Sequence, residues 1–276
     1  MAKIIRILKE ITPPIIVSLT KKIRRPVKST GMWSGNYSSW AEAQKSCTGY
    51  DSDIILEKCK NSLLQVKNGD AVYERDSVLF DEIQYSWGLL AGLQKAAMEN
   101  DGRLCVMDFG GSLGSSYYQN NEFLGALKEL AWCIVEQPHF VECGKKYFED
   151  DKLKFFYSVE ECLFLNKPNV LLLSSVLQYM EKPYEWIEKF IKMGIPYIII
   201  DRTAFIEDKK DMLTIQDVPE SIYKASYPAW FFSKSLFYNK LNERYKCIGE
   251  FSSHEGFVIN INEIKTNYTG VIWKIN

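Results

Sequence analysis

Apolar residues along this chain fall into short continuous runs, separated by segments in which they recur at helical spacing. The runs read as buried strands at Leu104–Asp108, Ala131–Glu136, Leu153–Tyr157, Val170–Ser174 and Tyr197–Asp201. Helices are predicted between and after them at Tyr117–Leu130, His139–Phe148, Val159–Leu165 and Tyr184–Lys192. Unbroken apolar strands alternating with helices predict an α/β fold whose mostly parallel sheet is covered on both faces. Ligands of such sheets bind beyond the carboxyl ends of the strands. Asp108, Glu136, Tyr157–Ser158, Ser174–Ser175 and Asp201–Arg202 all fall at those ends, so five polar tips are expected to outline one cleft.

The pattern changes on either side of this core. Residues 1–30 form a basic, apolar leader, and residues 31–100 read as a helical N-terminal cap. Within the cap, helices are expected at Trp40–Ser46, Asp53–Val66 and Ser77–Met98, the last N-capped by Asp76. The core takes residues 101–276. Inside it, Thr203–Trp230 breaks the rhythm and is expected to fold over the sheet rim. A helix at Ser233–Arg244 follows, then strand-like pieces at Tyr245–Phe251, Phe257–Ile261 and Thr269–Ile275.

The first strand carries the chemistry. After Asp108 come Gly110, Gly111 and Gly114, and then a helix begins. Glycine lets a ligand approach the backbone closely, and the free N–H groups of a helix start favour polar groups there. The second strand ends in Glu136, the place where such folds hold ribose hydroxyls. The turn reads D-x-G-G-x-x-G rather than G-x-G-x-x-G. An acid at Asp108 would repel a pyrophosphate and attract the amino group of a methionine moiety. That favours S-adenosylmethionine over NAD. An NAD-dependent sugar-nucleotide enzyme is the alternative, but no Tyr-x-x-x-Lys pair is present and Tyr179 is followed by Pro183. A second alternative is a non-catalytic binding or scaffold module.

Composition narrows the class. The chain has 276 residues, 46% hydrophobic and 25% charged, as expected of a soluble protein. Its net charge is −1, yet residues 1–30 carry eight Lys/Arg against one Glu, a net of +7, which leaves −8 for the rest. An acidic body with a basic leader is not a nucleic-acid-binding profile. Seven cysteines without a C-x-x-C pair predict reduced thiols and a cytoplasmic setting, and two histidines make a histidine-based metal site unexpected. The apolar stretch Ile11–Leu19 is too short to span a bilayer and is broken by Pro13-Pro14. A leader of this kind can dock on an anionic membrane face, which makes residues 1–28 a membrane-surface candidate.

Several longer stretches are distinctive: Trp33-Ser-Gly-Asn-Tyr37 with Trp40 and Tyr50-Asp51, Tyr73-Glu-Arg-Asp76, Asp108-Phe-Gly-Gly-Ser-Leu-Gly-Ser115, Val135-Glu-Gln-Pro138, Leu173-Ser-Ser-Val-Leu-Gln-Tyr179, Ile200-Asp-Arg-Thr203 and Tyr223-Lys-Ala-Ser-Tyr-Pro-Ala-Trp230. Across nearly its whole length the chain resembles S-adenosylmethionine-dependent methyltransferases of bacterial O-antigen and capsule gene clusters. The resemblance implies a class I methyltransferase sheet of seven strands, the last antiparallel. It also implies a carbohydrate or lipid-linked glycan acceptor, assembled at the cytoplasmic face of the inner membrane. Ala204 departs from the proline expected after Asp-Arg-Thr and suggests a looser loop.

These expectations place roles along the rim. Asp108, Gly110, Gly111 and Gly114 face the methionine part of the cofactor and Glu136 its ribose. Gln137, Tyr157 and Ser158 lie toward adenine, and Ser175 and Val176 lie beside the departing methyl group. Gln178 is expected on the acceptor side. Asp201 is the first candidate for the base that a hydroxyl acceptor needs, His254 the second, and Arg202 a holder of phosphate or carboxylate. Tyr37, Trp40, Tyr223, Tyr227 and Trp230 offer aromatic faces to a sugar ring.

Overall fold

The computed structural model describes residues 28–29, 32–48, 52–219, 225–253 and 258–276. The leader through residue 27, Tyr50–Asp51, Tyr223 and His254 lie outside the described residues. The N-terminal third supplies β1 (Lys28–Ser29), β2 (Trp33–Ser34), helices α1 (Trp40–Ser46) and α2 (Ser52–Asn68), strands β3 (Tyr73–Arg75) and β4 (Val78–Phe80), and helix α3 (Trp87–Met98). The expected helix from Ser77 is therefore corrected, since its first part is a β-hairpin. Asp76 and Ser77 both sit at positive φ, +51° and +66°. Two such residues make the tight turn whose twist suits a two-residue hairpin. Asp76 is its tip, not a helix cap.

The core follows the predicted alternation. It runs β5 (Arg103–Phe109), α4 (Ser115–Leu124), β6 (Glu129–Val135), α5 (Pro138–Tyr147), β7 (Leu153–Phe156), α6 (Val159–Leu165), β8 (Val170–Ser174), α7 (Pro183–Met193) and β9 (Tyr197–Ile206). Helix α4 stops six residues short of the predicted end, at Gly125. The chain continues as β10 (Met212–Val218), β11 (Ala225–Ser233), α8 (Lys234–Asn242), β12 (Tyr245–Ser252), β13 (Val258–Ile261), β14 (Ile264–Thr266) and β15 (Tyr268–Ile275).

The central sheet has the order β7-β6-β5-β8-β9-β15-β12. Its first five strands are parallel, and β15 runs antiparallel to both neighbours. This α/β arrangement, seven strands with the last in sequence antiparallel, is the class I methyltransferase fold. Alternate residues of β5 feed two cores. Leu104 and Val106 pack with Leu93, Trp132 and Phe148 on one face. Met107 packs with Leu171, Phe190 and Trp273 on the other. A period of two on a doubly covered sheet explains why these strands are apolar on both faces through most of their length.

Two features lay beyond the sequence pattern. First, β9 does not end at Asp201 but runs five residues further. Ala204 is buried within it and pairs with Tyr268, so it loosens no loop. Second, the segment expected as an irregular rim insertion is a ribbon of strands. β10 pairs antiparallel with β11, β2 adds to the far edge of β10, and β11 joins the end of β9 only through Phe232 and Ser233. Pro228 is tolerated in β11 because that edge of the strand is otherwise unpaired there. Among the described residues, no helix is long and apolar enough to cross a membrane.

Candidate active site

The strand tips open into a cleft of about 1320 Å³, walled by the tips of β5 to β9, the β3–β4 hairpin and the β10–β11 ribbon. That exceeds the roughly 300–1,000 Å³ of a site for one small molecule, and leaves room for a cofactor and an acceptor together.

At one end lies Asp108, 1% exposed. Its Oδ2 accepts a hydrogen bond from Trp132 Nε1 at 3.0 Å, while Oδ1 has no partner among the described residues. Burial pushes this carboxyl up to about 7, against the opposing effects of the Trp132 bond and Arg202. An unpartnered buried carboxylate oxygen costs several kcal/mol, by order of magnitude, unless a donor or a proton reaches it. Gly110, at φ +73°, and Gly111 form the floor beside it. A Cβ would stand 2.4 Å from Val176 Cγ2 at the first and 2.5 Å from Asp108 Cγ at the second. Only glycine permits this approach. Gly114 starts α4 and packs toward Ile134 and Leu153, away from the cleft lining.

Glu136 lies one strand over and lines the cleft half-buried. Burial raises its pKa, and the backbone N–H of Gln137, donating at 2.6 Å, works against that. Gln137, Tyr157 and Ser158 line the same end. Ser158 also caps α6, its Oγ accepting from the Glu161 N–H at 3.1 Å. Lys145 stands 4.4 Å over the Tyr157 ring.

The other end holds Ser175, Val176, Arg202, Trp40 and Tyr227, all lining the cleft. Asp201 does not line it. It is 3% exposed, and its two oxygens accept from Ser86 Oγ and Ser174 Oγ, each at 3.2 Å. Asp201 thus holds the wall rather than facing an acceptor. Gln178 is likewise behind the wall, donating to Ser175 Oγ at 3.0 Å and to the Arg202 carbonyl at 3.1 Å. Tyr37 and Trp230 also stand outside the lining. Both pack around Leu213 and Ile215, and Trp230 stacks on Trp40 with ring centres 6.3 Å apart and donates to the Met180 carbonyl at 3.1 Å. Packing of the ribbon against α1 claims them.

Sequence reasoning missed the hairpin as a wall. Glu74, Arg75, Asp76, Val78 and Phe80 all line the cleft. Glu74 is 3% exposed and is pushed up to about 7 by burial; it accepts from the Ser115 hydroxyl and from the Ser77 N–H at 3.1 Å. Asp-Ser flanked by short alternating runs was the available signal for this turn. Also unanticipated are Tyr179, whose hydroxyl donates to Gln216 Oε1 at 2.9 Å, and Tyr268 and Trp186. The described lining carries seven acids (Glu74, Asp76, Asp108, Glu136, Glu160, Glu181, Glu185) against three cations (Arg75, Lys182, Arg202). Such a cleft favours a positively charged ligand.

No described protein family matches the chain, and no curated protein matches it. Solved structures resemble it remotely. A S-adenosylmethionine-dependent methyltransferase from Clostridium acetobutylicum ATCC 824 has a TM-score of 0.47 at 8% identity, over 70% of this chain and 93% of that one. The N-terminal domain of EvdMO1, solved in the presence of SAH and D-fucose, has a TM-score of 0.47 at 10% identity, over 74% of this chain and 90% of that one. The 1,6-didemethyltoxoflavin-N1-methyltransferase of Burkholderia thailandensis has a TM-score of 0.40 at 12% identity, over 83% and 95%. The strand order defines the fold independently of these similarities.

Proposed function

We propose that this chain is an S-adenosylmethionine-dependent methyltransferase that O-methylates a sugar of a surface polysaccharide or of its lipid-linked precursor. The observation that carries the first part is the pair Asp108 and Glu136. One is a buried carboxylate with an orphaned oxygen over a glycine floor, and the other is a half-buried acid at the neighbouring strand tip. S-adenosylmethionine fits these groups. Its ammonium answers the carboxylate of Asp108, its ribose diol can donate to Glu136, and its net positive charge suits an acidic cleft. When bound it supplies an electrophilic methyl group. The protein's part is to position the two reactants in line and to exclude water. Asp201 serves as a positioning residue here, holding Ser174, which in turn accepts from Arg202.

The sugar acceptor is supported by the aromatic wall, Trp40, Tyr179 and Tyr227, and by the resemblance of the sequence to glycan-cluster methyltransferases. The same resemblance supports a peripheral place at the inner membrane through residues 1–28. Calorimetric titration with S-adenosylhomocysteine tests the cofactor. Binding is expected, and Glu136→Ala should weaken it about tenfold or more, because two charge-assisted hydrogen bonds are lost. Saturable binding of NAD instead would refute the reading. Incubation with labelled S-adenosylmethionine and a panel of nucleotide-linked and lipid-linked saccharides tests the acceptor, and label recovered only in non-carbohydrate material would refute the sugar.

A further inference from the structure

Arg202 is held in an unusual way. Opposite Thr269 and Val271 of β15, β9 carries one extra residue, a bulge at Asp201–Arg202. Arg202 sits there at φ +50°. A left-handed backbone is strained for a residue with a side chain, and bulges re-aim side chains next to functional sites. The backbone is pinned on both sides. Its N–H donates to Ser253 Oγ at 3.0 Å, and its carbonyl accepts from Gln178 at 3.1 Å. Both side chains reach Ser174 Oγ, but Asp201 is buried behind the wall and Arg202 lines the cleft.

The guanidinium is only partly used. Nε donates to Ser174 Oγ at 3.3 Å and Nη1 to Asp76 Oδ2 at 3.3 Å. Among the described residues, nothing accepts from Nη2 or from the second Nη1 hydrogen. Both contacts are long, and the Asp76 side chain is 65% exposed at a hairpin tip. A single-point ion pair so exposed is weak. The other cations of the lining are differently placed: Lys182 pairs with Glu185 at the exposed edge, and Arg75 lies over the Phe80 ring. An arginine fork with spare donors and a displaceable carboxylate suits a planar or tetrahedral oxyanion.

We propose that Arg202 is the specificity residue for an acceptor bearing an oxyanion, a phosphate or a carboxylate, which seats on its guanidinium in place of Asp76. This inference rests on the methyltransferase reading and names the class of its acceptor. It is tested on the full chain with three probes, glucose 1-phosphate, glucuronate and neutral glucose. The readout is the Arg202 Nε–Hε resonance, identified by its loss in Arg202→Gln, together with a calorimetric affinity. A saturable shift is expected with one or both anions and none with glucose. The phosphate arm and the carboxylate arm tell the two sources apart. Asp76→Asn should tighten the anion about threefold or more by removing its competitor, and Arg202→Gln should weaken it about tenfold or more. An equal shift with glucose overturns the inference. So does unchanged anion affinity in Arg202→Gln, or unchanged or weaker affinity in Asp76→Asn, which would make Asp76 and Arg202 a latch for the hairpin. If Arg202→Gln fails to fold, Asp76→Asn at its exposed tip decides alone. Binding of S-adenosylhomocysteine, followed on the same samples, separates the two readings. Its loss in the wild type refutes the methyltransferase, and its presence without anion binding refutes only the oxyanion acceptor.

Discussion

The Asp108→Asn substitution should stabilise the ligand-free protein above neutral pH while removing its affinity for cofactor. Burial pushes the Asp108 carboxyl up to about 7, from about 4 for a free aspartate. A carboxyl whose pKa is raised on folding binds its proton more tightly in the folded state. Its contribution to stability is therefore full below about pH 4 and is lost as the pH rises through about 7. At about 1.4 kcal/mol per unit, three units make roughly 4 kcal/mol above neutrality, and about 2.5 kcal/mol of that is lost between pH 5 and pH 8. For a chain of this size 1 kcal/mol moves Tm by about 2–4 °C, so the Asp108 share of the pH 5 to pH 8 fall is about 5–10 °C. Asparagine keeps an oxygen for Trp132 Nε1 and cannot ionise. Glu74, raised for the same reason, contributes equally to both proteins and cancels in the comparison. Thermal unfolding at both pH values, with and without S-adenosylhomocysteine, measures the difference. In the wild type the ligand should raise Tm more at pH 8 than at pH 5, because its ammonium stabilises the ionised carboxylate. In Asp108→Asn it should raise Tm at neither. If the variant loses as much Tm between pH 5 and pH 8 as the wild type, Asp108 ionises without cost, and the case that it awaits a cationic partner fails.

Other outcomes follow from the same geometry. Gly110→Ala puts a methyl group 2.4 Å from Val176 Cγ2 at a backbone φ of +73°, so it should cost about 1–3 kcal/mol in denaturant unfolding and abolish S-adenosylhomocysteine binding; a variant that binds normally would disprove the close approach. Burial holds the Cys59 thiol up at about 12, so iodoacetamide at pH 8 should label it far more slowly in the native protein than in guanidinium chloride, as read by peptide mass spectrometry. Equal labelling rates would show the thiol to be open. The full chain should sediment with anionic liposomes at low salt and be released at high salt, and deleting residues 1–28 should remove that behaviour without changing cofactor affinity. Sedimentation of the truncated protein would assign the membrane contact elsewhere.

What could be read without a structure was what is encoded locally. The run Leu104–Asp108, the glycines after it and the helix behind them specify a strand, a tight turn and a helix start by burial and backbone freedom alone. Five such strands, unbroken in apolar character, announced a parallel sheet covered on both faces, and with it the rim where Asp108, Glu136, Tyr157 and Arg202 now line one cleft. What depends on partners distant in sequence could not be read. The strand β9 passes Asp201 because β15, some 70 residues on, offers it a ladder. The bulge in that ladder sends Asp201 to Ser86 and Ser174 and turns its neighbour Arg202 into the cleft. The helical spacing from Ser77 was overruled by a turn that needed Asp76 and Ser77 in left-handed conformation, which brought Glu74 against Ser115 at the start of α4. The aromatic residues Tyr37 and Trp230 were spent on packing the ribbon to α1 rather than on the rim. Side-chain period and turn chemistry act over a few residues, whereas register, burial and the charge a carboxylate can carry are set by what folding places beside it.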